Sequence, residues 1–211
     1  MTKIFCIVGT DTDIGKTYAT CQLLSHLSTA AALKPIASGV DTDINADVLR
    51  LYNASAQRLS LDQINAFSFK EAIAPHIAAR HENISLSVEK IIAATDVNHP
   101  TCDYLLIEGV GGVMTPLNAR ETYIDLLSAW NYPIILIVGM KLGCLNHALL
   151  TAAALKKLNC IGWIANALST DMPAYDENLQ FLQEKLSVPL LATIPSQGTL
   201  QTTPHFSELF S

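Results

Sequence analysis

The chain has 211 residues, of which 50% are hydrophobic and 15% charged, with a formal net charge of −6. That length and apolar content supply a full core for one domain and exclude a disordered chain. The acidic balance, with no basic run longer than Lys156-Lys157, excludes the basic stripe of a nucleic-acid binder and points to a small-molecule partner.

In chain order the first element is a strand, "KIFCIV" (3–8). Its apolar run is too short for a signal-peptide core or a membrane span, so the expectation is a cytoplasmic protein with no membrane partner. "GTDTDIGKT" (Gly9 to Thr17) follows and leads into a helix, "KTYATCQLLSHL" (16–27). A glycine-rich turn between a buried strand and a helix gathers backbone N–H groups around an anion. Lys16 can neutralise a terminal phosphate and Thr17 can offer a hydroxyl to magnesium. The usual interval between the first glycine and the Gly-Lys-[Ser/Thr] is four residues; here Thr10 to Ile14 make five, two of them aspartates.

The second strand is read as "ALKPIA" (32–37). A lysine inside it is costly unless its ammonium meets an anion, and Ser38-Gly39 follow at the ligand edge. From spacing alone, Lys34 could equally snorkel to solvent from an edge strand. Residues 41–85 are less regular and read as an insertion with short helices, one containing Asp47. By itself Asp47 fits a solvated helix position.

Next come a helix "SVEKIIAAT" (87–95) and a buried strand "YLLIEG" (104–109). Glu108 ends that strand and opens "EGVGG", where an acid has no packing purpose. A magnesium held by nucleotide phosphates takes one or two carboxylates, which Glu108 and Asp47 could supply. The helix "YIDLLSAW" (123–130), the strand "PIILIV" (133–138), the helix "HALLTAAALKKL" (147–158), the strand "IGWIAN" (161–166), the helix "ENLQFLQEKL" (177–186) and the strand "LLATIP" (190–195) complete the series. Such alternation predicts a single α/β domain, a mostly parallel sheet of P-loop NTPase type with helices on both faces and ligands at the C-terminal strand ends. The five cysteines (Cys6, Cys21, Cys102, Cys144, Cys160) contain no C-x-x-C pair and read as reduced thiols.

"GTDTDIGKT", "KPIASG", "APH", "IEGVGG", "VGMKLGCLNHALLTA" and "GWIAN" occur in the order and approximate spacing of the dethiobiotin synthetases, and the chain resembles that family over about residues 1–195. The five-residue interval is that family's form of the loop. The resemblance implies an ATP-dependent cyclo-ligase that builds a ureido ring from 7,8-diaminopelargonate, CO2 or bicarbonate and ATP with Mg2+, through a carbamate and its mixed anhydride with phosphate. A diamine substrate gives the loop's aspartates a purpose.

By position the resemblance makes Lys16, Lys34, Thr12 and Asp13 the catalytic group. Asp13, Ile14, Gly15, Lys16, Thr17 and Tyr18 would contact ATP, with Glu108, Gly109, Gly111, Gly112, Asn166 and Pro195. Thr17, Asp47 and Glu108 would hold the metal. Thr12, Lys34 and Ser38 would hold the substrate, joined by Gly143, Cys144, Leu145 and Asn146 at a helix start receiving the substrate carboxylate across a homodimer interface. Asp13 matches a position commonly glutamate. His147 reads as a structural helix residue, Tyr175 is one reading of a family tyrosine at the carboxylate, and residues 196–211 match nothing in the family. A partition or division-site switch ATPase is the competing reading. Those proteins carry a lysine early in the loop, where this chain has Asp11, and nothing like "KPIASG". Cobyrinate amidases, a further P-loop class, need a glutamine-cleaving domain for which this chain has no room.

Overall fold

The computed structural model describes residues 2–40, 44–98 and 101–210. A seven-stranded sheet runs β2 (Ala30–Leu33), β5 (Tyr104–Glu108), β1 (Lys3–Gly9), β6 (Ile134–Met140), β7 (Cys160–Ala167), β8 (Leu190–Ile194), β9 (Gln201–Thr202). All neighbours pair parallel except β8 and β9, which are antiparallel. Strand β1 lies between β5 and β6, so the strand order reverses there and a crevice opens at its C-terminal end. The first glycine-rich turn leaves from that end.

Alternation along β1 shows how the two faces are filled. Phe5 and Ile7 pack with α1 (Lys16–His26) and α9 (Pro204–Leu209), while Cys6 and Val8 pack with α6 (Tyr123–Trp130), α7 (Cys144–Leu155) and α8 (Tyr175–Lys185). Both faces are dry, which is why these strands are apolar throughout.

The expected "ALKPIA" strand is corrected. It breaks after Leu33, because Pro35 has no N–H to continue the ladder with β5. The chain turns out of the main sheet and forms β3 (Ile36–Ser38), which pairs with β4 (Phe67–Phe69) in a separate two-stranded sheet. The insertion therefore builds a wall beside the crevice from α2 (Ala46–Ala54), α3 (Leu61–Ile64), β4 and α4 (Pro75–His81), followed by α5 (Val88–Ala94). Residues 41–43, at its start, lie outside the described residues. Two other boundaries move. The helix expected from His147 starts at Cys144, at a left-handed Gly143, and the last residues form β9 and α9.

Below the crevice, Gly139 on β6 lets the loop lie directly on the sheet. A Cβ there would stand 2.6 Å from the Cβ of Ile14 and 3.2 Å from its Cα. Gly139→Ala should lower the melting temperature by on the order of 5 °C, since overpacking costs about 1–3 kcal/mol. It should also weaken nucleotide binding, because the loop itself must shift. Calorimetry with and without nucleotide checks both.

Candidate functional site

The loop from β1 to α1 is held by its own groups. Lys16 Nζ donates to the Asp11 carbonyl at 2.7 Å, and the Thr12 N–H donates to Asp11 Oδ1 at 2.8 Å. Asp13 is left-handed at φ 54°, and Gly15 at φ 78° caps α1. A side chain at Gly15 would collide with Asn166 Nδ2 at 2.2 Å. Thr12 and Asp13 stand exposed on the rim, whereas Lys16 and Thr17 are buried. Burial lowers the Lys16 pKa to about 8, with Lys34 adding to the effect and Glu108 opposing it.

Behind the loop lies a charged cluster. Glu108, 1% exposed, accepts from Thr17 Oγ1 at 2.6 Å and from Thr20 Oγ1 at 2.7 Å. Lys34 Nζ lies 2.7 Å from Glu108 Oε1, 2.6 Å from Asp47 Oδ2 and 3.5 Å from Thr17 Oγ1. Burial by itself would lower the Lys34 pKa, but Glu108 and Asp47 outweigh it and hold the pKa above the ordinary lysine value. For Asp47, burial works against ionisation and the Lys34 ammonium overrides it, so the carboxyl stays below its usual range.

The local fold explains why these side chains meet. Past the proline break, the Lys34 N–H donates to the Ile64 carbonyl at 2.8 Å and Asn65 Nδ2 donates to the Lys34 carbonyl at 2.7 Å. Lys34 is therefore a strand-end residue fixed by the insertion, neither an interior strand lysine nor a snorkelling one. Asp47 is placed by Asn45, whose Oδ1 caps α2 by accepting from Asp47 N at 3.0 Å and Val48 N at 3.4 Å. The Asn45 amide also donates to the Ser38 and Gly39 carbonyls, each at 3.2 Å.

The crevice over this cluster is a cavity of about 730 Å³. Lys16, Thr17, Lys34 and Asp47 line it, with Thr12, Asp13, Gly15, Tyr18, Gly109 and Gly111. Ala72, Ile73, Pro75 and Pro116 give the lining its apolar part. Ser38 also lines it, and its hydroxyl is buried without a partner. Thr17, Asp47 and Glu108 suit a magnesium shared with phosphates, because a cation, the Lys34 ammonium, already sits among their oxygens. Among the described residues no group of three or more His, Cys, Asp or Glu could hold a metal alone.

Other expected residues lie outside the crevice lining. Gly112 is near the loop, its nearest contact being the Thr10 carbonyl. Asn166 is buried under the loop, its Nδ2 donating to the Ile14 carbonyl at 2.8 Å. Pro195 follows β8, and after it the chain docks on α1: Tyr18 Oη donates to the Gly198 carbonyl at 2.6 Å and the Leu200 N–H to Gln22 Oε1 at 3.1 Å. Gly143 to Asn146 start α7, with Cys144 buried and Asn146 exposed. Beyond them His147 is built into the helix, its carbonyl accepting from Thr151. Tyr175 starts α8, which packs against α7.

Sequence reading missed Thr20, Asn45 and Arg50. Thr20 sits one helical turn after Lys16, on the same face, and "NADV" carries a helix-cap signal, so both had a trace in the sequence. Arg50, 3.6 Å from Asp47, had none that separated it from a surface arginine.

A family model described as an AAA domain matches residues 3–203. The ATP-dependent dethiobiotin synthetase BioD of Legionella pneumophila (strain Paris) is 45% identical over 198 residues, covering 90% of this chain and 92% of that protein. The protein of the same name from Pseudoalteromonas translucida is 44% identical over 204 residues, covering 92% and 90%. Among solved structures, the septum site-determining protein MinD of Pyrococcus horikoshii, complexed with Mg-ADP, matches with TM-score 0.52 at 21% identity, over 92% of this chain and 82% of that one. Cell division protein FtsY of Thermotoga maritima matches with TM-score 0.54 at 14% identity, over 97% and 66%. At those identities the structural likeness concerns the P-loop fold alone, whereas the sequence relatives align across nearly the whole chain. The chain belongs to the ATP-dependent dethiobiotin synthetase family.

Proposed function

We propose that this chain, working as one domain, is an ATP-dependent cyclo-ligase that closes the ureido ring of dethiobiotin from 7,8-diaminopelargonate, CO2 and ATP in biotin biosynthesis. The observation that carries the reading is the crevice itself. A loop lysine, a threonine and Asp47 line it, with Glu108 buried behind them, as Mg-ATP would need, and Ala72, Ile73, Pro75 and Pro116 add apolar lining that suits an alkyl chain. Thr17, Asp47 and Glu108 would hold Mg2+, which supplies charge neutralisation on the β- and γ-phosphates when bound.

In this reading the first amine adds to CO2 and loses a proton, giving a carbamate that Lys34 and Ser38 hold. A carbamate oxygen attacks the γ-phosphorus as the bond to ADP breaks, and Lys16 stabilises the charge on the transferring group. The second amine then attacks the carbamoyl carbon, the ring closes and phosphate leaves. Thr12 and Asp13, on the rim, face the diamine. Asp13 at φ 54° sets its carboxylate from a left-handed backbone, and the loop's acids favour a cationic substrate. For the base, Tyr18, Asn166 and Pro195 frame the side closed by the chain's last segment. The Asn166 amide is engaged by the loop, which leaves its oxygen for a base amine.

A homodimer belongs to the same proposal. Leu142 is 97% exposed and Leu150 63% exposed on either side of Gly143–Asn146, an apolar surface that a second copy would cover. The N-terminus of α7 would then meet the substrate carboxylate in the partner's crevice, with Tyr175 nearby. A cytoplasmic location accords with five free cysteines. No helix among the described residues is long and apolar enough to cross a membrane.

Several measurements test the reading. Lys34→Met should cut cyclic-urea formation by about 100-fold or more, the scale of one well-placed electrostatic donor, while leaving nucleotide binding largely intact. In the wild type, phosphate release should need both diamine and bicarbonate. ATP turnover without diamine would favour a switch ATPase instead. Asp47→Asn should raise the magnesium concentration needed for half-maximal rate, and an unchanged titration would remove Asp47 from the metal shell. Asn146→Asp should raise KM for the diamine more than KM for ATP, and an active monomer on sedimentation would refute the shared site.

A further inference from the structure

Thr17, Asp47 and Glu108 point their oxygens at one position, and in this structure that position is filled. The Lys34 ammonium stands 2.6 Å from Asp47 Oδ2, 2.7 Å from Glu108 Oε1 and 3.5 Å from Thr17 Oγ1. Magnesium uses oxygen ligands at about 2.1 Å, so it requires the same atoms at closer range. Two cations cannot share them in contact.

The backbone of Lys34 has no freedom to leave. Its N–H is bound to Ile64, its carbonyl to Asn65, and Pro35 follows. Only the four-carbon side chain can move. It lines the 730 Å³ crevice together with Ser38, whose buried hydroxyl has no partner.

We propose that Lys34 is the resident counter-cation of the Glu108–Asp47 pair, and that a divalent metal loads by exchange with it rather than by filling a vacant site. Metal entry sends the ammonium into the crevice beside Ser38, where it can meet an anionic group of a substrate. The lysine is therefore delivered to the reacting end only after the metal is in place. Without the exchange, Lys34 together with Arg50, 3.6 Å from Asp47, already neutralises the acid pair, which has little affinity for metal in the absence of phosphates. This inference rests on the metal-site reading given above.

The test is a Mn2+ titration followed by electron paramagnetic resonance, Mn2+ serving as a probe with the same preference for oxygen. In nucleotide-free protein, Lys34→Met should bind Mn2+ at least about 10-fold more tightly than wild type, because the exchange removes the competing charge. Lys34→Arg, which keeps that charge, should bind no more tightly than wild type. Mg2+ should raise the melting temperature of Lys34→Met and leave the nucleotide-free wild type unmoved. A Lys34→Met affinity equal to or weaker than wild type overturns the proposal, as does tighter binding by Lys34→Arg.

A measurement on the wild type covers the case in which Lys34→Met does not fold. In protein labelled with 15N-lysine, the buried ammonium signal of Lys34, assigned by its loss in Lys34→Arg, should shift when Mg2+ and ADP are added together and stay put with ADP alone. An unmoved signal with both overturns the exchange. Loss of Mn2+ binding in the wild type with ADP present would overturn the metal reading itself. Normal binding there, combined with no gain in Lys34→Met, would overturn the exchange alone.

Discussion

A fully buried carboxylate needs compensation, and the way Glu108 obtains it organises the rest of the crevice. Two hydroxyls, from Thr17 and Thr20, and the Lys34 ammonium converge on its oxygens. Left unpaired, a charge at this depth would cost several kcal/mol. Both threonines come from the helix that the loop initiates, so the requirement to neutralise Glu108 also fixes α1 against the end of β5. Loop, helix and strand end are thereby set relative to one another before any ligand arrives.

The second half of that compensation depends on Pro35. Had "ALKPIA" continued as one strand, Lys34 would have been paired to β5 and the insertion would have lost its anchor on the sheet. Because the strand stops at Leu33, the backbone of Lys34 is taken over by Ile64 and Asn65. The same departure allows Asn45 to join α2 to the end of β3, which puts Asp47 against the lysine. A missing N–H thus decides where the second carboxylate stands.

The mixture of polar and apolar groups in the crevice lining follows from this arrangement. Lys16 and Thr17 come from α1 and Asp47 and Arg50 from α2, while Lys34 stands just past the end of β2. The apolar wall comes from the insertion and from the segment after Gly111.

Fold class, the loop, Lys16, Thr17 and Glu108 were legible in the sequence, because each is a local event: an apolar run, a glycine-rich turn, an acid where a strand ends. Family resemblance singled out Asp47 and Ser38, which spacing alone does not distinguish from ordinary surface residues and which line the crevice; it also singled out the start of α7, which lies outside that lining. The last segment was not legible, since β9 has two residues and α9 is held by distant partners: Phe210 packs on Phe5 and Tyr104, and Phe206 on Phe210 and His26. Nor was the partner of Lys34. A lysine beside a proline shows that an anion is needed, but Glu108 is 74 residues away and Asp47 is 13. The proline break and the Asn45 cap each leave a local trace, but that they bring Asp47 and Glu108 onto one ammonium is a tertiary meeting that no local pattern records.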